Sequence, residues 1–165
     1  MFAAKRGRAL AVCAALSGLA SPVDAAPLPP GTPAPDFARL DLSGKPVSLA
    51  AWRGKPVLVD FWASWCAPCI AEIPHLIALQ KKLDGRLKIV GISMDDDRAS
   101  ARDVATRYPF NYPLAMGDAA LGKRYGEVLG LPALFLIGRD GRVLKSWRGE
   151  IAPALLAKDV EAAAR

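Results

Sequence analysis

Two cysteines separated by two residues, Cys66 and Cys69, are the side chains of this sequence whose type and spacing point most directly to covalent chemistry. An apolar run, Val57 to Trp62, precedes them, and a periodic segment from Ile70 to Leu83 that reads as a helix follows. The sulfurs therefore fall where a strand gives way to a helix N-terminus. A thiol placed there faces unpaired backbone N–H groups and the positive end of the helix dipole, and both favour the thiolate. Cys66 is the expected nucleophile. Residues three apart on a helix have Cβ atoms roughly 5–6 Å apart, so a modest adjustment brings Cys69 into disulfide geometry with Cys66. Cys69 is then the resolving thiol, and a Cys66–Cys69 disulfide the oxidised product. Asp60 adds an acid to an otherwise apolar central strand. Burial would raise its pKa and suit it to accept the Cys69 proton, the alternative being a strand-end aspartate facing water.

Other uses of the cysteine pair fit less well. A structural zinc site needs four ligands, and after removal of Cys13 with a leader the chain offers two cysteines and a single histidine, His75. No metal is expected. A purely structural bridge that closes two intervening residues restrains almost no chain entropy. Cu(I) held by Cys66 and Cys69, with His75 as a third ligand, is a rival reading from another class. It leaves Asp60 without a purpose. His75 otherwise reads as an ordinary surface or core residue.

The elements that must position these groups are legible in the apolar pattern. Phe37–Leu42 and Val47–Leu49 alternate around a Ser43-Gly44-Lys45 turn, which predicts a hairpin. Val57–Trp62 is nearly all apolar, as expected of a strand covered on both faces. In the helix that follows, Ile70, Ile73 and Ile77 form one stripe beside Leu76, Leu79 and Leu83, and Pro74 is expected to kink it. Leu87–Ser93 reads as a second buried strand, with Asp95 to Asp97 as caps for a helix from about Arg98 to Tyr108. Tyr108–Gly117, with Pro109 and Pro113, reads as irregular with one short strand, and Ala119–Tyr125 as a short helix. Ala133–Gly138 and Arg142–Trp147 pair through an Arg139-Asp140-Gly141 turn, and Ala154–Ala164 closes the chain as a helix. This order predicts an α/β sandwich, a mixed sheet flanked by helices.

The 165 residues, 52% hydrophobic, suffice for one domain with a real core. Lys5, Arg6 and Arg8, an apolar run from Ala9 to Ala20 and small residues up to Ala25 follow the order of a secretory signal, with cleavage expected after Ala25. The run is short for a membrane span, which takes about 20 apolar residues; an uncleaved anchor is the alternative. Residues 26–35 are rich in Pro and read as an extended spacer, which leaves 36–165 as the folded domain. The net charge of +6 is spread along the chain without a basic run or interleaved aromatics, so nucleic-acid binding is not expected.

The segment Val59-Asp60-Phe61-Trp62-Ala63-Ser64-Trp65-Cys66-Ala67-Pro68-Cys69 resembles the active-site segment of thioredoxins. With Gly44, Gly54-Lys55 and Ile70-Ala71-Glu72-Ile73-Pro74 added, the chain from about residue 35 to 165 resembles the secreted TlpA/ResA-like thiol:disulfide oxidoreductases. The resemblance implies a thioredoxin-like fold with an N-terminal β-hairpin and a central insertion, in a periplasmic monomer without a cofactor. It also implies a cis proline, Pro132, beside the dithiol, with Leu131 offering its backbone to an extended client. Ala133 and Leu134 stand where many relatives carry Thr or Ser, so the groove is expected to be more apolar here.

Trp65 and Pro68 complete the expected client-binding rim, with Trp65 shielding Cys66 and Trp62 packing in the core. Glu72 matches the acid that ResA-like proteins carry three residues after the second cysteine. It sits one turn beyond Cys69 and is read either as a tuner of the dithiol or as a solvated helix glutamate. Pro68 brings no charge to the thiolate, as in reducing thioredoxins poised near about −270 mV rather than about −120 mV for the oxidant DsbA. A reductant of client-protein disulfides is therefore expected, recharged by a DsbD-type membrane donor. Clients could be apocytochrome c, a copper-site assembly protein or periplasmic proteins generally. A peroxiredoxin-like peroxidase is a further alternative on the strength of the insertion from Met94 to Asp118, although Ala63 replaces the Thr that its signature requires.

Overall fold

The computed structural model describes residues 28–165. The expected signal segment 1–25, Cys13 and the start of the spacer lie outside the described residues. No helix among the described residues is long and apolar enough to cross a membrane.

A small antiparallel hairpin comes first, β1 (Ala38–Leu40) against β2 (Pro46–Ser48), with Arg39 opposite Val47. Gly44 takes φ +89 in the turn between them, a conformation glycine adopts without the Cβ penalty. The main sheet has the order β5-β4-β3-β6-β7. Its members are β3 (Val57–Trp62), β4 (Lys88–Ser93), β5 (Leu114–Met116), β6 (Ala133–Ile137) and β7 (Val143–Arg148). β3, β4 and β5 run parallel, whereas β6 and β7 pair antiparallel, so the sheet is mixed. Around it lie α1 (Ala67–Lys82), α2 (Arg98–Arg107), α3 (Ala119–Arg124) and α4 (Pro153–Ala163).

β3 is the central strand, and all six of its residues are buried. Its alternation divides them between two cores. Leu58 and Trp62 pack with apolar residues of α1, α2 and α4. Val57, Val59 and Phe61 pack with α3 and the hairpin, through Leu121, Phe37 and Val47. Fully burying a side chain such as Phe61 is worth about 1.5–3 kcal/mol. Asp60, two residues from both Leu58 and Trp62, falls on the α1 side.

The folded body starts earlier than residue 36. Gly31 donates its N–H to the Val143 carbonyl at 2.8 Å, Val143 donates to Thr32 at 2.9 Å, and Ala34 donates to Gly141 at 3.0 Å. Pro lacks an N–H, but the residues between the prolines do not, and they pin this part of the expected spacer to the start of β7. The stretch from Ala50 to Trp52 forms a 3-10 turn, which carries no apolar period to announce it. Pro74 lies inside α1 on an exposed position, and the helix continues through it as one element.

Candidate active site

α1 begins three residues before the apolar period does, and that difference places the chemistry. Cys66 is the N-cap, extended at φ −87 and ψ 95, and its sulfur accepts the Cys69 N–H at 3.3 Å. One of the helix's orphan donors is thus spent on the sulfur itself, a geometry that favours negative charge there. Cys66 and Cys69 are joined by a disulfide, with Cα atoms 5.3 Å apart. Both are buried.

The loop that presents Cys66 is held by Asp95, expected from the sequence as a helix cap. Asp97 alone caps α2, accepting the Ser100 N–H at 2.8 Å. Asp95 instead accepts from the Ser64 N–H at 3.0 Å and the Ser64 hydroxyl at 2.7 Å, while Ser93 donates to its other oxygen at 2.8 Å. β3 and β4 are parallel neighbours, so the loops at their C-terminal ends meet, and Asp95 ties one to the other. A run of three aspartates before a helix concealed this contact, because nothing local separates a cap from a strut.

Asp60 is 4% exposed and lies mid-strand, paired with Gly91 on β4 and Leu134 on β6. It does not face water. Burial pushes its carboxyl well above the usual range, and the nearby Glu72 charge adds to that. Glu72 is 9% exposed, and neither of its oxygens has a hydrogen-bond partner among the described residues. Its pKa rises to about 7, through burial first and the Glu150 charge second. The two acids, Asp60 on β3 and Glu72 on α1, therefore lie within electrostatic reach of each other. Glu150, on the loop after β7, was not singled out by its sequence, since a single glutamate between Gly149 and Ile151 carries no pattern.

Glu72 also lines a groove of about 80 Å³ with Pro68, His75, Pro132, Glu150 and Ile151. This groove joins the dithiol helix to the segment before β6. The Leu131–Pro132 peptide is cis, Pro132 is buried and Leu131 half-buried. His75 is exposed on the groove's edge. Trp65, next to Cys66 in the chain, is 71% exposed, so most of its indole faces solvent. Trp62 is in the core, its ring 6.4 Å from Phe110. Among the described residues no three His, Cys, Asp or Glu side chains are grouped to hold a metal ion.

The redoxin family model matches residues 29–163. The thiol-disulfide oxidoreductase ResA of Bacillus thuringiensis subsp. konkukian is 34% identical over 122 residues, 73% of this chain and 70% of the relative. A thiol:disulfide interchange protein of the thioredoxin family from Chlorobium tepidum superposes with a TM-score of 0.75 at 31% identity, covering 85% of this chain and all of that one. A secreted disulfide oxidoreductase of Mycobacterium tuberculosis, described as homologous to Escherichia coli DsbE, gives a TM-score of 0.69 at 26% identity, covering 76% and 95% of the two chains.

Proposed function

This chain belongs to the redoxin family as a thiol:disulfide oxidoreductase of thioredoxin-like fold, and we propose that it works as a periplasmic reductase of disulfides in client proteins. In the proposed cycle the Cys66 thiolate attacks one sulfur of a client disulfide and expels the other as a thiolate. Cys69 then loses its proton to Asp60 and attacks the Cys66 sulfur. That closes the Cys66–Cys69 disulfide and releases the second client thiolate, so two electrons have passed from the dithiol to the client. Asp60 is a strong acceptor when charged because its neutral form is so favoured by burial. Glu72 tunes the pair. Trp65, Pro68, Leu131 and Pro132 form the surface that receives the client, with the Leu131 backbone as the edge along which an extended segment lies.

The observation that carries this reading is the capping of α1 by the Cys66 sulfur, with a disulfide to Cys69 and a buried acid, Asp60, on the α1 face of the strand that leads into it. Pro68 between the cysteines supplies no positive charge to stabilise the thiolate further, which supports the reducing direction. A reductant in an oxidising compartment must be recharged, and a DsbD-type membrane donor would serve. The secretory pattern of residues 1–25 and the secreted relative support the location. Client thiols in cytochrome c or copper-site maturation fit the same chemistry, and the protein is read as a monomer.

Trapping tests the proposal. With Cys69→Ser the mixed disulfide cannot resolve, so clients should remain attached to Cys66 and be identified by mass spectrometry of the periplasmic fraction. The reduced protein should also cleave insulin disulfides, with a potential nearer about −270 mV than about −120 mV. No covalent adduct and no insulin reduction would refute it, and tight stoichiometric Cu(I) binding in their place would establish the copper-carrier reading.

A further inference from the structure

α3 and β6 are joined through residues 126–132, a segment without helix or strand that ends on the cis Leu131–Pro132 peptide. Its first two residues, Gly126 and Glu127, both take left-handed backbone, at φ 82 and 53. Glycine does so freely, whereas a residue with a Cβ does so only where its surroundings impose it. The N–H groups of Gly126 and Glu127 go to the Lys123 carbonyl at 3.1 and 3.2 Å, and that of Val128 goes to Gly122 at 3.0 Å. Beyond them, the backbone of Leu129, Gly130 and Leu131 makes no hydrogen bond to another described residue. Leu129 and Gly130 are exposed. A stretch with so few bonds of its own needs an outside anchor if its edge is to keep one shape.

The end of β7 supplies that anchor. Arg148 stands directly opposite Ala133 in the sheet, and its Nη2 donates to the Gly126 carbonyl. The next residue, Gly149, donates its N–H to the Pro132 carbonyl at 2.8 Å. Both ends of the segment are therefore tied to two consecutive residues. The one after them, Glu150, lines the groove with Glu72 and Pro132. Arg148 has no carboxylate within ion-pair distance among the described residues, and its Nε is buried without a partner there. A guanidinium partly withdrawn from water for one backbone carbonyl gives up hydration of its other donors, so placement rather than stability is what the bond supplies.

We propose that Arg148 is a positioning residue for client binding. By holding the Gly126 carbonyl it sets the course of residues 126–132, and with it the Leu131 backbone along which an extended client segment lies. This inference rests on the reductase reading above, and it names a residue outside the dithiol machinery that decides how well a protein client is held. A peptide that pairs with the Leu131 backbone gains most when that edge is in place before it arrives, because ordering the edge on binding is subtracted from affinity. A small disulfide without a peptide backbone makes no such pairing and needs the dithiol alone. Arg148 therefore bears on the capture of a protein and not on the exchange of sulfurs.

The test is Arg148→Met in the full chain, which keeps an unbranched stem and removes the donors. The reduced protein is mixed rapidly with insulin, and separately with hydroxyethyl disulfide, each over a range of concentrations. The half-saturating insulin concentration should rise about tenfold, as expected for the loss of one charge-assisted hydrogen bond, while the limiting rate and the rate with hydroxyethyl disulfide stay within about twofold. Equal losses on both substrates, or an unchanged half-saturating concentration in a folded variant, overturn the proposal. A second measurement covers a variant that does not fold. In the unaltered protein the Arg148 guanidinium protons should exchange slowly with solvent, and exchange as fast as that of an exposed arginine overturns the proposal. An unaltered protein that reduces neither disulfide would refute the reductase reading instead, and the guanidinium exchange would still decide whether Arg148 holds the segment.

Discussion

The two faces of β3 are built on different terms. Toward α3 and the hairpin, Val57, Val59 and Phe61 enter a core whose centre is aromatic, with Phe61, Tyr125 and Phe135 in mutual contact at 5.0 to 5.8 Å. The Tyr125 hydroxyl at its centre donates to the Pro35 carbonyl at 2.8 Å. Toward α1, the same strand sends Asp60 into a core holding Glu72, Tyr112 and Trp62, each with a buried polar atom that has no partner among the described residues. The satisfied face supplies stability. The unsatisfied face carries the dithiol, and its unmet polar groups are a cost that the first face must cover.

The largest effect that this difference predicts is on stability. Phe61→Ala should destabilise the protein by about 3–5 kcal/mol in denaturant unfolding, the range for truncating a buried aromatic, while leaving the pH dependence of insulin reduction where it was. A shifted pH profile would mean that the two faces are not separable.

The second effect is a pH dependence of opposite sign to the common one. Asp60 and Glu72 have folded pKa values above their unfolded values, so the folded state holds more protons than the unfolded chain. Stability from these groups is full below their unfolded values of 3.8 and 4.5 and is lost as pH rises; for Glu72 the loss runs to about 7. Asp41, Asp97 and Asp118 have lowered pKa values and weaken the fold only as pH falls below the ordinary carboxylate range. Between pH 5 and 7 the buried acids dominate, and each contributes a slope of at most about 1.4 kcal/mol per unit. Asp60→Asn should therefore flatten the denaturation midpoint against pH by up to about 3 kcal/mol over those two units. A curve as steep as that of the unaltered protein would remove Asp60 from the raised set.

How much of this division was legible in the sequence depends on the range of the contacts involved. The expected bounds of β3 coincide with the observed ones, because six apolar or buried residues in a row are a local signal. The fold class and the hairpin followed from period and turn chemistry in the same way. The start of α1 did not, since Ala67, Pro68 and Cys69 carry no apolar period and the cap is made by a sulfur. The stretch Tyr108–Gly117 reads as irregular with one short strand and proves so, the strand being β5, whereas the burial of Tyr112 within it has no local signal. The strut from Asp95 to Ser64 joins residues 31 apart in the chain, and only the pairing of β3 with β4 brings them together.

That strut offers the third way to sharpen the contrast, because it stands on neither face and acts on the presentation of Cys66 alone. Asp95→Ala strands the Ser64 N–H and hydroxyl, and should cost about 1–3 kcal/mol. The rate of the first attack by Cys66 on insulin should fall with it, while the midpoint of the resolving step stays unchanged.

The smallest effect uses the two tyrosines against each other. Tyr125→Phe removes a made hydrogen bond and leaves the Pro35 carbonyl without its donor, so it should cost about 1 kcal/mol in the oxidised protein. Tyr112→Phe removes a hydroxyl that has no partner among the described residues, and should leave stability within about 0.5 kcal/mol of the unaltered protein. Tyr125→Phe should also be silent in the pH profile of insulin reduction. Chemical denaturation of both variants, oxidised and side by side, decides the order of the two. If Tyr112→Phe proved the more destabilising of the two, its hydroxyl would be a structural contact like that of Tyr125, and the two faces of β3 would differ in composition without differing in purpose.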